Sequence, residues 1–443
     1  MDYRVRAIPL GLSLFLTSCL AHAEDSGRRE TFPDRTASAP LRPEQVAIRS
    51  DSGSDIMKVN VTLKMETFFL RNKKLRSGDK REHVQEREPQ ARLRLSLLEG
   101  RPLYGVAEME LKDKTKRTSG NPKQNKTHLE LTQVYFGMDA DALNTRLLLG
   151  RWLYRDEREW LLDENIDGAL AYWRFGKWRA DLLGGRVNYW QRDLLDRTSR
   201  DSGATAAAGA IVRRKFGKDW FAGAYLLTTK NTHNDDSQRL HYGLRSHGEQ
   251  NKGLRHWGDL GAMQSDSTGS QRHGFAVDAG ATYIFSTPLR PRVTLGYAMA
   301  SKYYRQTGLQ SNEATMGGNT KFNIYGATLA PELTNLHILT AGIGVNITPD
   351  STLDLVYHDY RQVEKGDLDV HNSELKSRYD TRKTSRLGGG IDLIWGLEVN
   401  EHLKTELIMG MFTPSKRFRS GSGDNASRSA PAYSVGFEAE YRF

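Results

Sequence analysis

The sequence is poor in cysteine and in long apolar runs, and each shortage excludes a class of protein. Cys19 is the only cysteine among 443 residues, which excludes a disulfide framework and a cysteine-based zinc site. Past the N-terminus, no apolar run approaches the roughly 20 residues of a membrane-spanning helix, and the mean hydropathy is −0.62. A helical membrane protein is therefore excluded. A β-barrel is not, because its strands alternate polar and apolar residues.

The N-terminus has the pattern of a secretory signal peptide. Two arginines precede an apolar run over residues 7–16, and Ala21-His22-Ala23 supplies a small-residue cleavage site. We predict a signal peptide over residues 1–23, with acylation at Cys19 as the alternative. Residues 24–57 contain three prolines and mixed charges without any period, which predicts a flexible periplasmic lead-in.

From residue 58 onward, apolar and polar residues alternate with period two, the pattern of a half-exposed strand. In residues 432–443, Tyr, Val, Phe, Ala, Tyr and Phe alternate with Ser, Gly, Glu, Glu and Arg. Sixteen segments show this pattern, and seven short turns alternate with eight long connections, of which 230–271 and 305–335 are the longest. Short periplasmic turns and long outer loops are typical of outer-membrane barrels.

We therefore predict an all-β, antiparallel, transmembrane outer-membrane β-barrel over residues 58–443, with sixteen strands. The final Tyr441-Arg442-Phe443 resembles the C-terminal signature by which bacterial barrels are recognised for insertion. A soluble sandwich or propeller is the alternative, since its solvent face would alternate too.

The charge balance points to an anionic solute. The chain has 64 Lys and Arg against 54 Asp and Glu, a net charge of +10, and several charges fall on the parity that would face the lumen. Rings of Arg and Lys select for anions, and acidic residues among them prevent tight trapping. A nucleic acid is not expected as a partner, because no basic helix or RNA-binding motif is present.

The segment 150–168 is dense in arginine, carboxylate and tryptophan. Its run Asp163-x-Asn165-x-Asp167-Gly168 imitates the start of an EF-hand loop, but the twelfth position is Arg174 rather than Glu. We predict no cofactor, with a structural Ca²⁺ at 163–168 as the alternative. An ordered loop held by Arg–carboxylate pairs explains the composition equally well.

Three blocks of sequence resemble the alginate export family. They are Gly150-Arg151 with Arg158-Glu159-Trp160 and the aspartate run; Tyr304–Asn312 with Tyr325-Gly326 and Pro331–Leu336; and Tyr357-x-x-Tyr360-Arg361-Gln362. The resemblance implies a monomeric eighteen-stranded barrel, one hairpin more than the sixteen strands counted. It also implies passive secretion of alginate, a polyuronate, through an electropositive pore in the bacterial outer membrane. Outer-membrane lipid and periplasmic secretion proteins are the further partners expected.

The residues predicted to lie along the substrate path are chosen either because they belong to a motif shared with the family or because they fall on the lumen-facing side of a strand. Asp163 and Asp167 are the expected acidic partners, and 230–271 is a candidate gating loop. Trp152, Trp160, Tyr304 and Tyr360 are candidates for sugar contacts, with girdle or loop packing as the alternative. The arginines of the predicted path are Arg151, Arg155, Arg158, Arg305 and Arg361 by motif, Arg92, Arg94 and Arg179 by parity, and Arg174, whose strand alternates ambiguously.

Two other functions compete with polysaccharide export. A barrel hydrolase would need a Ser or Asp–His constellation, and the His, Ser and Asp residues of 230–273 lie in one polar stretch without a motif, so no enzyme is predicted. A porin that takes up acidic oligosaccharides or other small anions is the stronger alternative, because a passive pore does not encode direction.

Overall fold

The computed structural model describes most of the chain from Ile56 onward. The described residues are 56–77, 81–187, 189–190, 193–196, 205–217, 219–231, 238–250, 253–267, 270–364, 385–416, 419–420 and 427–443. The predicted signal peptide (1–23) and most of the lead-in (24–57) lie outside them, so both stay predictions.

Within the described residues, eighteen strands form one closed antiparallel sheet. Two short hairpins accompany it, β14 (Glu313–Ala314) with β15 (Phe322–Asn323) and β20 (Arg419–Ser420) with β21 (Ser427–Arg428). The barrel strands are β1 (Met57–Arg71), β2 (His83–Leu97), β3 (Leu103–Thr118), β4 (Gln124–Ala140), β5 (Thr145–Arg155), β6 (Asp163–Phe175), β7 (Trp178–Val187), β8 (Thr205–Lys215), β9 (Asp219–Asn231), β10 (Gln238–Gln250), β11 (Leu254–Ser267), β12 (Ser270–Ile284), β13 (Arg292–Ala300), β16 (Leu336–Thr348), β17 (Ser351–Gln362), β18 (Arg386–Glu398), β19 (Leu403–Pro414) and β22 (Ala432–Arg442).

Each barrel strand pairs with its neighbours in chain order, and the first and last strands close the ring. Thr62 of β1 stands opposite Arg442 of β22, and Arg71 opposite Tyr433. Closure satisfies the backbone hydrogen bonds of both edges. A single 3₁₀ turn lies at Asp141–Leu143 within the described part of the chain. No helix there is long and apolar enough to cross a membrane.

The alternation of the sequence becomes the two faces of the wall. Leu103 and Leu111 of β3 are exposed on the outer face, whereas Glu108 and Glu110 of the same strand are buried on the inner face. Side chains in a strand point alternately to opposite faces, so one parity forms an apolar outer belt. The other parity lines the lumen with polar and charged groups.

The count of sixteen strands was one hairpin short. Strands β10 and β11 lie within 230–271, which the sequence reading treated as a long gating loop; the structure places a wall hairpin there instead. On β10 the apolar parity is weak: exposed Tyr242 and Leu244 alternate with buried His241 and Arg245. Because its inner face is charged and rich in histidine, the segment reads as a polar loop.

Candidate functional site

Residues 156–162, between β5 and β6, fold into the lumen and form the short inner loop. The Asp156 carboxylate accepts hydrogen bonds from the backbone N–H groups of Leu161 and Leu162 at 2.9 and 2.7 Å. Arg245 of β10 donates to the same carboxylate at 2.8 Å. Asp156 therefore closes the turn and ties it to the barrel wall.

Two further charges of the short inner loop reach other strands. Arg158 Nη2 lies 3.3 Å from Asp278 Oδ2 of β12, and the guanidinium stands 4.3 Å from the centroid of the Trp257 ring. Glu157 pairs with Arg213 of β8. Burial would raise the pKa of Glu157, but attraction to Arg213 and to the neighbouring arginine of β10 outweighs it and holds the pKa well below its ordinary range.

Residues 301–335, between β13 and β16, form the long inner loop, which packs on the short one. Thr307 Oγ1 donates to the Leu161 carbonyl at 2.6 Å, and Trp160 Nε1 donates to the Tyr325 hydroxyl at 2.9 Å. Lys321 forms an ion pair with Glu159. Burial raises the pKa of Glu159 despite this lysine. The attraction to Lys321 therefore offsets only part of the desolvation cost of the Glu159 carboxylate.

The long inner loop also crosses the lumen to the opposite wall. At one end His241 of β10 contacts the Arg305 carbonyl at 2.9 Å. At the other, Thr328 Oγ1 lies 2.8 Å from Ser434 Oγ of β22, and Lys404 of β19 donates to the Asn319 carbonyl at 2.8 Å. The two inner loops therefore pack inside the barrel against the wall between β8 and β22.

The remaining inner wall includes β2 and β3. Each successive cross-strand pair of inward-facing residues on these two strands contains one basic side chain. Glu86 stands opposite Lys116, Gln90 opposite Lys112, Arg92 opposite Glu110, and Arg94 opposite Glu108, with Lys114 bonded to Glu86 and Glu88 at 2.9 and 3.5 Å. Inward residues of a strand are about 6.7 Å apart, so the five rungs extend about 27 Å along the wall. This basic ladder consists of Lys116, Lys114, Lys112, Arg92 and Arg94.

The carboxylates of the ladder lie beneath its cations. The Arg92 side chain is 38% exposed, whereas its partner Glu110, 2.9 Å away, is 4% exposed. Arg94 is 31% exposed and its partner Glu108, 3.0 Å away, 8% exposed. A wall with nearly balanced charge thus presents guanidinium and ammonium groups to the water of the lumen. Carboxylates that accept hydrogen bonds from a guanidinium orient it.

Arg155 and Arg158 lie beside the inner loops, and Arg174 and Arg179 lie on the inner face of the wall. Arg155 pairs with Asp163 and lies 3.8 Å from Glu159 of the short inner loop, and Arg158 belongs to the network described above. Arg174 and Arg179 stand opposite each other at the short-turn end of β6 and β7, and Arg179 lies 5.0 Å from the centroid of the Phe221 ring.

The structure places Arg151, Asp167 and Arg361 on the outer-face parity of the wall, whereas the sequence predicted them along the substrate path. Arg151 and Asp167 share the outer-face parity of exposed Leu149 and are buried against each other in a bidentate pair at 2.6 and 2.8 Å. Arg361 is 61% exposed and pairs at 2.9 Å with Asp359, on the same outer parity as exposed Tyr357. Where β5, β6 and β17 form the wall, their odd-numbered residues face outward. For β5 and β6, the irregular alternation of residues 150–168 hides this orientation in the sequence.

Arg305 and the candidate aromatic residues stabilise the inner loops. Arg305 donates to the carbonyls of Lys302 and Tyr304 at 3.0 and 2.8 Å, so it caps its own turn. Trp152, Trp160, Tyr304 and Tyr360 are each at most 1% exposed, which leaves them packing roles rather than sugar contacts. The run 163–168 belongs to strand β6. The expectation of no cofactor, with Ca²⁺ at this run as the alternative, stays a prediction.

Sequence reasoning missed the buried network of β8–β12. Arg245 bridges Asp156 and Asp259, and Asp259 also contacts His247 at 3.0 Å. These residues lie in or opposite the missed hairpin. The sequence does contain a signal for this strand. Its charged and histidine residues fall on alternate positions, as expected of one inward-facing side of a strand: Arg239, His241, Arg245 and His247.

A family model describing alginate export matches residues 57–431. The chain belongs to the alginate export family. No curated protein is similar enough in sequence to match it.

Solved structures with a similar fold include three proteins of Pseudomonas aeruginosa. OpdQ is 12% identical, with a TM-score of 0.54 over 88% of this chain and 99% of its own. OpdL is also 12% identical, with a TM-score of 0.54 over 87% and 99%. OccK2 (OpdF), solved in complex with glucuronate, is 12% identical, with a TM-score of 0.52 over 87% and 98%. At these identities the likeness establishes the fold.

Family and fold together identify an outer-membrane channel of bacteria, the class of protein that the sequence predicted. The long connections, including both inner loops, then arise from the outer end of the barrel, and the short turns face the periplasm.

Proposed function

We propose that the channel secretes an anionic polysaccharide, alginate or a similar polyuronate, along the basic ladder. The observation that carries the proposal is the exposure of Arg92 and Arg94 above the buried Glu110 and Glu108. The cations meet the solute, while the carboxylates beneath hold them in place.

A polyuronate carries one negative charge per sugar, and fixed cations in a low-dielectric wall raise its local concentration. Arginine suits this task because its planar fork bonds a carboxylate at two points. Glu108 and Glu110 compete for the same forks, so each contact with the polymer stays weak. Weak binding at several successive rungs is what conduction requires.

Uptake of a small acidic sugar is the second candidate. The fold neighbour OccK2 was solved with glucuronate, and the ladder would attract a single uronate by the same physics. Length dependence separates the two functions: a polymer that contacts several rungs blocks current at lower concentration than the monosaccharide, whereas an uptake site responds equally per carboxylate.

Single-channel recording in planar bilayers tests the proposal. In a KCl gradient we expect an anion-selective reversal potential and current blocks by polymannuronate fragments, with neutral mannan fragments of equal length as the control. A cation-selective current that is indifferent to the charged polymer would refute the proposed substrate class.

Docking of periplasmic secretion proteins at the short turns and a monomeric state remain part of the proposal. Binding of periplasmic proteins to the channel in detergent, compared with a porin of the same strand number, is the corresponding measurement.

A further inference from the structure

The barrel wall has a gap between β4 and β5 at the outer end. Among the described residues, β4 pairs with β5 only from Val134 to Ala140, although β4 itself begins at Gln124. Beyond Arg151, toward the outer end of the barrel, strand β5 turns Trp152 into the lumen-facing apolar core. The strand then leads into the short inner loop. The upper edge of β4 is therefore left without its neighbour.

Gly150 marks the point where β5 leaves β4. Its φ is +127°, a conformation that residues with a side chain rarely adopt. A Cβ atom there would lie 2.3 Å from the Val134 carbonyl oxygen. The close approach of the two backbones fixes the lower corner of the gap.

Part of the β7–β8 connection, residues 189–190 and 193–196, fills the gap; we call it the cover segment. Asp193 bridges to Glu130 of β4, and its carboxylate accepts from the Leu129 backbone N–H at 3.2 Å. The Leu194 backbone N–H donates to the Leu129 carbonyl at 2.8 Å. His128 contacts the Asp193 carboxylate at 2.8 Å. The cover segment thus supplies β4 with the hydrogen bonds that β5 does not.

The Arg151–Asp167 pair clamps the cover segment to the wall. Arg151 donates to the carbonyls of Leu131 and Trp190, each at 2.8 Å, and the Trp190 backbone N–H donates to Asp167 at 3.1 Å. One ion pair therefore joins β4, β5, β6 and the cover segment.

The height of this pair in the wall explains why it needs a cover. Arg151 stands opposite Val134, and Val134 stands opposite Ala107, midway between the exposed Leu103 and Leu111 of the outer belt. An arginine that faces lipid at mid-membrane costs about 2–4 kcal/mol. The pair is nevertheless only 1% and 4% exposed, because the cover segment lies over it.

The cover segment turns large apolar side chains outward. Tyr189, Trp190, Leu194 and Leu195 are 55%, 54%, 43% and 57% exposed. They adjoin Leu129 of β4, whose register partner is the exposed Leu111. The apolar surface of the cover segment is therefore continuous with the lipid-facing belt.

We propose that the cover segment is a membrane-embedded part of the barrel wall that binds the acyl chains of outer-leaflet lipid through Tyr189, Trp190, Leu194 and Leu195. The Arg151–Asp167 pair is its clamp and has no contact with the transported solute. This inference rests on the outer-membrane location alone, so it stands or falls independently of the proposed substrate.

Quenching of tryptophan fluorescence by brominated phosphatidylcholine in proteoliposomes of the full protein tests the proposal. The difference in emission between the wild type and Trp190→Phe is the emission of Trp190. We expect bromolipid to quench this difference signal at least twofold. The matched control is Trp152→Phe: Trp152 lies one residue from the clamp but on the lumen side, fully buried, so its emission should be unquenched. Equal quenching of the two difference signals, or none at Trp190, would overturn the proposal.

Leu195→Trp provides a test that removes no contact of Trp190. The added emission should be quenched by bromolipid and protected from acrylamide, and the reverse pattern would place the segment in water and contradict the proposal. Asp167→Asn, which weakens the clamp, should increase acrylamide quenching of Trp190. It should leave the reversal potential of the channel unchanged. A change in ion selectivity would show that the Arg151–Asp167 pair lies in the solute path.

Discussion

The two sides of the lumen use the same residue types for opposite purposes. On β8–β12, Arg245 and Asp259 are 1% and 0% exposed, and they hold the short inner loop in place. On β2 and β3, the cations of the basic ladder project into water above buried carboxylates. Charge composition alone does not distinguish the two sides; the depth of each partner does.

The difference has an energetic basis. A buried ion pair compensates a large desolvation cost, and removing one partner leaves the other charge buried alone. An ion pair with one exposed member contributes little to stability, because water screens it. One side of the lumen is therefore expected to determine stability and the other to determine selectivity.

The largest expected effect is on stability. Arg245→Met leaves Asp156 and Asp259 without their shared partner, and we expect a loss of about 3–5 kcal/mol in the free energy of unfolding. Urea-induced unfolding in lipid vesicles is the measurement. Lys114→Met, on the exposed ladder, is the matched control and should cost about 0–1 kcal/mol. Similar losses for both variants would erase the distinction between the two sides.

The next effect is on ion selectivity. The double variant Arg92→Gln with Arg94→Gln removes two exposed rungs, so the anion-to-cation permeability ratio should fall several-fold in a KCl gradient. Arg361→Gln, on the outer face, controls for loss of an arginine away from the lumen. A ratio that falls equally in both would show that net charge, rather than the ladder, sets selectivity.

A smaller effect of opposite sign is expected beneath the ladder. Glu110→Gln removes the carboxylate that Arg92 and Lys112 share, so these cations become more available to a polyanion. Anion selectivity should rise, and blocks by polyuronate should last longer. Shorter blocks would mean that Glu110 is needed chiefly to orient its cations.

The smallest effect concerns the long inner loop. Lys321→Met removes one ion pair with Glu159 but leaves the contacts of Trp160 and Thr307. We expect more frequent current fluctuations with mean conductance changed by less than about twofold, since Glu159 keeps its contacts with Arg155 and Ser311 and is not left buried alone. A large, steady increase in conductance would show instead that this pair alone holds the loop.

Much of the wall could be predicted from the sequence, because period-two alternation directly encodes the two faces of a strand. It placed Arg92 and Arg94 on the inner face without any structure. It failed at β10–β11, where the inner face is as polar as a loop, and at Arg151, where Gly150 interrupts the pattern of the strand.

The arrangement of the inner loops could not be predicted in the same way. Arg158 meets Asp278, 120 positions away, and Trp160 meets Tyr325, 165 positions away. Such contacts depend on how a closed ring brings distant strands together, which local sequence does not encode. Motif resemblance marked both loops as important but assigned their arginines to the solute rather than to packing.

The rate at which polymannuronate fragments enter the channel tests the central claim most directly. Entry is measured as the frequency of current blocks in single-channel recordings of the wild type, Arg92→Gln with Arg94→Gln, and Arg361→Gln. If the basic ladder attracts the polyanion, the block frequency falls several-fold in the ladder variant alone, and the fall shrinks as salt is raised. An unchanged frequency in the ladder variant at low salt would contradict the account.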